Sequence, residues 1–290
     1  MSPISTCLWF DAQAEEAARL YMELFGGGGL GRVARYPEAA ARQAQRPVGS
    51  AMTVEFAIAN IKAVGLNGGP LFRFSPAFSF FLSCESLEEI DFFWSRLSSG
   101  GAPRMALGKY PWSEKYGWTT DKFGVEWQLI LAPGSQKVAP CFLFTDALYG
   151  KGRQALEFYA NIFPDSKIEA ESLNPKTGMI AHCAFSLNGQ SFRLMEGDGK
   201  HGFSFNESMS LVVTCDTQDE IDAYWSRLTV DGGEPSRCGW LKDKFGVSWQ
   251  VVPANLATYA SHPEKFEKAI AAVMKMAKLD MAAIDRAASG

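Results

Sequence analysis

Asp121-Lys-Phe-Gly-Val-Glu-Trp-Gln128 recurs, with one residue changed, as Asp243-Lys-Phe-Gly-Val-Ser-Trp-Gln250. Asp-Lys-Phe-Gly reads as a turn feeding a strand. Side chains alternate across a strand, so Val125, Trp127 and Leu129 fall on one face and Glu126, Gln128 and Ile130 on the other. The duplication extends outward from this motif. LSCESLEEIDFFWSRL (82–97) matches VTCDTQDEIDAYWSRL (213–228), and Gly100-Gly-Ala-Pro103 matches Gly232-Gly-Glu-Pro235. Further upstream, Cys7-Leu-Trp-Phe10 with EEAARLYMELF (15–25) matches Cys141-Phe-Leu-Phe144 with RQALEFYANIF (153–163). The period is too long for a solenoid. It predicts two homologous domains, 1–134 and 138–258, joined by Ala132-Pro-Gly-Ser-Gln-Lys137 and followed by a helical tail, 259–290.

Each copy reads as β-α-β-β-β, twice over, which is an α+β fold. An apolar run at 5–10 predicts a buried strand. Asp11 is positioned as the N-cap of a helix whose face is Ala17, Leu20, Tyr21, Leu24 and Phe25, ended by Gly26–Gly29. Strands follow near 32–36, 51–58 and 61–66, with Leu66-Asn-Gly68 as a hairpin turn. A strand at 78–83 leads to a helix opened by Ser86 and Glu89 in capping-box spacing. Strands near 104–109, 115–120 and 125–131 complete the copy. In the tail, Phe266, Ile270, Val273, Met274 and Ala277 share one helical face, suited to packing on a domain surface or on a second copy of the chain.

Composition removes several function classes. Of 290 residues, 47% are hydrophobic, enough for a packed core, and the net charge is −4. Phosphate binding needs clustered Lys and Arg, which are absent from the sequence, so nucleic acid is not an expected partner. No apolar run reaches membrane-spanning length and the N-terminus lacks an export signal, which predicts a cytoplasmic protein without a membrane partner. Cys7, Cys84, Cys141, Cys183, Cys215 and Cys238 contain no CxxC pair and read as reduced, buried thiols. Gly26-x-Gly28-x-x-Gly31 has the spacing of a dinucleotide fingerprint. Such a motif needs a strand before it and a helix after it, and here a helix precedes.

The Asp-Lys-Phe-Gly-Val-x-Trp-Gln motif, in two copies behind this helix pattern, resembles the PhnB-like branch of the vicinal oxygen chelate superfamily, the glyoxalase/bleomycin-resistance/dioxygenase fold. The resemblance covers nearly the whole chain, tail included. Families of this branch also carry the label 3-demethylubiquinone-9 3-methyltransferase. The resemblance implies paired βαβββ modules whose sheets curl into cups, with the two copies packed as an internal pseudo-dimer and a homodimer possible beyond that. In catalytic members of the superfamily the cup holds a divalent metal. The matching positions here are Ile4, Phe78–Phe80 and Gln128 in one copy, and Val138, Met209–Leu211 and Gln250 in the other. None is a His or an acid, so no metal and no other cofactor is expected.

The candidate site follows from what the repeat does not duplicate. Between Gly-Gly-x-Pro and Asp-Lys-Phe-Gly, the first copy carries Tyr110-Pro-Trp112-Ser-Glu114-Lys-Tyr116-Gly-Trp118, and the second is far shorter. Trp112, Tyr116 and Trp118 form a candidate wall for a small, partly apolar ligand, with Gln128 and Gln250 as neutral hydrogen-bonding groups. Interdomain packing explains the same aromatics equally well. PhnB-like proteins often show His-x-Glu-Phe in the third strand. Thr53-Val-Glu55-Phe56 and His182-Cys-Ala-Phe185 each keep half of it, adding Glu55 and His182 to the candidates. A buried Glu114 or Glu55 would serve as a general base. The expected function is binding or transforming a small molecule in the first-domain cup. A glyoxalase-type metal enzyme, a methyltransferase and a non-catalytic module remain the alternatives.

Overall fold

A computed structural model describes residues 3–26, 29–133 and 137–290. The chain forms four βαβββ modules in sequence. The first contains β1 (Ile4–Phe10), α1 (Ala14–Phe25), β2 (Val33–Arg35), an added short helix α2 (Glu38–Ala44), β3 (Ala51–Ile58) and β4 (Ile61–Asn67). The second contains β5 (Phe78–Cys84), α3 (Leu87–Leu97), β6 (Ala102–Tyr110), β7 (Ser113–Thr120) and β8 (Glu126–Leu131). The third contains β9 (Val138–Phe144), α4 (Gly152–Ile162), β10 (Ser166–Leu173), β11 (Ile180–Leu187) and β12 (Gln190–Glu196). The fourth contains β13 (Met209–Cys215), α5 (Gln218–Leu228), β14 (Glu234–Pro235), β15 (Trp240–Lys242) and β16 (Ser248–Pro253). The tail forms α6 (Leu256–Tyr259), α7 (Pro263–Val273) and α8 (Met281–Ser289).

The strands assemble into two eight-stranded sheets, ordered β14-β15-β16-β13-β1-β4-β3-β2 and β10-β11-β12-β9-β5-β8-β7-β6. Each sheet takes one module from each repeat. The seams are antiparallel: β1 meets β13 with Cys7 opposite Ser210, and β5 meets β9 with Ser79 opposite Cys141. The helices instead pack within a repeat. Phe25 of α1 stacks on Phe93 of α3 at 5.0 Å and on Trp127 at 5.4 Å. The second repeat copies this with Phe163 on Tyr224 and on Trp249. The helices of a repeat therefore meet within that repeat, while each curved sheet and the main apolar core are built by both repeats.

Local chemistry explains most element boundaries. Ser86 Oγ accepts the Glu89 N–H at 3.1 Å, and the Glu89 carboxylate accepts the Glu85 N–H, as the capping spacing predicts. Thr217, Glu220 and Asp216 repeat the arrangement at α5. Gly26 takes a left-handed φ of 69° to end α1; the rest of the glycine fingerprint includes Gly27 and Gly28, which lie outside the described residues, as do Gly134–Gln136 of the linker.

Two sequence expectations are corrected. Asp11 does not cap α1, and Leu66-Asn-Gly68 is not the hairpin turn. The turn lies at Ala59-Asn60, with Ala59 at φ 52°, and Asn67 still belongs to β4. The reason is the Asn67 amide, which is buried. Its Oδ1 accepts the Ala14 N–H at 2.9 Å and its Nδ2 donates to the Ala51 carbonyl at 3.0 Å, so Asn67 satisfies the start of α1 from across the fold. Asp11 pairs with Arg46 instead. Glu196, at the end of β12, plays the matched part for α4 by accepting the Gly150 and Gly152 N–H groups.

Candidate functional site

The duplicated aspartates turn out to be architectural. Asp121 Oδ1 accepts the N–H groups of Phe123 and Val125, and Oδ2 accepts Tyr21 Oη at 2.6 Å and Trp127 Nε1 at 3.0 Å. Asp243 repeats all four bonds with Phe245, Val247, Tyr159 and Trp249. Burial raises both carboxyls against the pull of these donors, Asp243 to about 6. The repeated motif thus ties the first helix of each repeat to its last strand. Its second face does the other work, pointing Gln128 and Gln250 into the two cups.

The cups share one floor. In the first sheet Gln250 Nε2 donates to Ser210 Oγ at 3.0 Å, beside Cys7. In the second, Gln128 Nε2 donates to Ser79 Oγ at 3.0 Å and lies 3.9 Å from Cys141 Sγ. Burial pushes the Cys7 thiol up to about 11 and the Cys141 thiol up to about 12, so both are protonated at neutral pH.

Above the floor the cups differ. The second-sheet cup is filled around Gln128. Tyr116 donates to Gln128 Oε1 at 2.6 Å, and Phe81, Tyr116 and Cys141 form a buried cluster backed by Met105, Tyr110, Trp118, Ile130 and Met195. Trp112 is exposed and stacks on Tyr110 at 5.1 Å. Glu114 is exposed and pairs with Lys109. Trp118 Nε1 donates at 2.9 Å to Glu126, which is fully buried and held by Arg104. Burial outweighs Arg104 and raises the Glu126 carboxyl. His182 belongs to this cup as well, its ring 5.3 Å from Phe81.

The first-sheet cup encloses a cavity of about 650 Å³. Ser5, Cys7 and Gln250 line its floor, and Leu256, Phe266 and Ile270 of the tail line its roof. Gln250 is partly exposed, and among the described residues its Oε1 accepts no hydrogen bond. Glu55 stands on this cavity's wall, half-exposed and 3.9 Å from Arg32. The structure therefore divides the sequence-derived candidates. Trp112, Glu114, Tyr116, Trp118, Gln128 and His182 gather at the second-sheet cup, and Glu55 and Gln250 at the first. Neither Glu114 nor Glu55 is buried. Sequence reading missed Cys7, Ser210 and the tail roof. The available signal was the matched placement of Cys7 with Cys141 and of Ser79 with Ser210 in the two copies.

The model of the family described as 3-demethylubiquinone-9 3-methyltransferase matches residues 2–130 and again 136–252. The chain belongs to this family. A Bacillus cereus PhnB protein carrying the same methyltransferase description is 36% identical over 44% of this chain and 98% of its own, with a TM-score of 0.40. Two glyoxalase I point mutants from Zea mays share the fold. One is 12% identical, covering 86% of this chain and 94% of its own with a TM-score of 0.55. The other is 11% identical, covering 89% and 96% with a TM-score of 0.56. A search of curated proteins finds no match.

The superfamily's metal chemistry can be tested on these residues. Each cup floor here offers an amide, a hydroxyl and a protonated thiol, none of them charged, and the one described carboxylate on the first-sheet wall, Glu55, faces Arg32. Among the described residues no group of three His, Cys, Asp or Glu side chains is arranged to hold a metal ion. The donor set does not fit such an ion. Nor does the glycine run have the strand-then-helix setting of a cofactor loop, since Gly26 ends α1. Among the described residues no helix is long and apolar enough to cross a membrane.

Proposed function

We propose that this PhnB-like chain binds a small, largely apolar molecule bearing a hydroxyl or amide N–H in the first-sheet cup, without a divalent metal. The observation that carries this reading is the unequal state of the two glutamines. Gln128 Oε1 is taken by Tyr116, whereas Gln250 lines a cavity of about 650 Å³ and no described residue donates to its Oε1. An acceptor inside an apolar pocket selects a ligand that brings a donor, because leaving it unpaired costs about 1–3 kcal/mol. Val64, Val212 and the tail residues Leu256 and Phe266 supply the apolar walls. The protonated Cys7 thiol suits a floor contact and does not suit a nucleophile at neutral pH. The proposed site is thus in the cup opposite to Tyr116 and Trp118.

The test is a thermal-shift screen with small phenols, alcohols and amides, followed by calorimetry on the hits. Binding should weaken about tenfold, the worth of one hydrogen bond, in Gln250→Leu and stay unchanged in Gln128→Leu. Equal affinity in Gln250→Leu and the native protein would overturn the reading.

A further inference from the structure

Arg193 lies in the middle of β12, opposite Cys141 on β9 and Ala184 on β11. It is only 6% exposed. Its one described hydrogen bond runs from Nη1 to the Phe192 carbonyl at 3.1 Å, and it forms no ion pair with any described carboxylate. The acids on the neighbouring edge strand do not supply one. Glu171 is committed to Arg153, and Glu169 acts on Arg193 only from a distance. A guanidinium held largely out of water without a counter-charge favours an anion beside it.

A group beside it is unsatisfied. His182 sits two residues from Ala184 on β11, on the face that Arg193 shares, and its Nε2 is buried with no partner. The other cup has no such pair. By strand register Val64, opposite Cys7, stands where Arg193 stands, and Thr53, opposite Leu66, stands where His182 does. The two floors match and Arg32 and Lys62 line the other cavity, but Arg32 there faces Glu55 at 3.9 Å, whereas Arg193 has no such acid among the described residues and stands beside Phe81 and Met195. The rim beside it is open, since β10 is exposed at every residue after Ser166.

We propose that Arg193 and His182 anchor a second ligand site that binds the carboxylate of a small organic acid. The planar guanidinium fork matches the two carboxylate oxygens, which supply the missing counter-charge. His182 Nε2 completes the contact, and the apolar body of the acid rests against Phe81 and Met195.

Calorimetric titration of the full chain with acetate and with benzoate tests this, with chloride at equal ionic strength as the reference. Saturable carboxylate binding is expected, weakened about tenfold or more in Arg193→Met and severalfold in His182→Gln, as loss of charge-assisted hydrogen bonds requires. Arg193→Met should fold, because replacing an unpaired buried charge by a hydrophobic group of similar size is neutral or stabilising. Should it fail to fold, Arg193→Lys keeps the charge, removes the fork, and should weaken benzoate binding likewise. Absence of saturable binding, equal binding in the variants, or chloride binding as tightly as the carboxylates would each overturn the proposal.

Discussion

Tyr116 donates its hydroxyl proton to Gln128 Oε1 at 2.6 Å, while Gln250, the matched glutamine of the other repeat, keeps its acceptor free among the described residues. One hydroxyl therefore separates a covered glutamine from an open one. Gln128 is 1% exposed, so no water replaces the phenol once it is removed. Tyr116→Phe should lower unfolding stability by about 1–3 kcal/mol, the desolvation cost of the orphaned carbonyl oxygen. Urea denaturation measures the loss. A change below about 0.5 kcal/mol, the range of ordinary surface substitutions, would show that the bond does not hold Tyr116 over Gln128.

Tyr21→Phe and Tyr159→Phe each remove one donor from a buried carboxylate, Asp121 or Asp243. Each should cost about 1.5–3 kcal/mol, as expected for hydrogen bonds to charged groups. The two networks share no residue, so the double variant should show the sum to within about 0.5 kcal/mol. Chemical denaturation of the three variants checks this, and strong non-additivity would mean that the two networks are coupled through the core that the repeats share.

The contrast between these two sets of residues shows how far the sequence could be read. Strand alternation around Trp127 and Trp249 correctly separated a core face from a cup face, because that face is set within a few residues. The Ser86 cap was legible for the same reason. The pairing of β1 with β13 and of β5 with β9 was not, since nothing local encodes which module supplies the neighbouring strand. That pairing is what sets Glu55 and Gln128 in different cups. Asn67 misled in a similar way. Asn-Gly is a strong turn signal, but the amide is used 53 residues away at Ala14.

The tail is fastened to the first module by Glu267. Its carboxylate accepts the Glu38 N–H at 2.7 Å and the Ala39 N–H at 3.0 Å, capping α2 from α7 where Pro37 has no side-chain oxygen to offer. Glu267→Ala should destabilise the chain by about 1 kcal/mol, the usual worth of an N-cap. It should also loosen the roof made by Phe266 and Ile270, and hydrogen exchange in α7 should speed up relative to α4. Unchanged exchange in α7 would show that the roof is held by its apolar contacts alone.

His182 gives the second-sheet cup a defined acid limb. Burial, with Arg193 nearby, lowers its pKa from 6.5 to about 4. The folded protein keeps the ring neutral across that interval, while the unfolded chain takes up a proton near 6.5. Between these values the unfolded state binds more protons, so stability falls as the pH falls. The contribution is complete above pH 6.5 and lost once the pH passes below about 4. Its upper bound is about 3 kcal/mol, at 1.36 kcal/mol per pKa unit. Urea titrations at several pH values across this window should show His182→Gln losing less stability toward acid than the native protein. Parallel curves for the two proteins would place the acid sensitivity elsewhere.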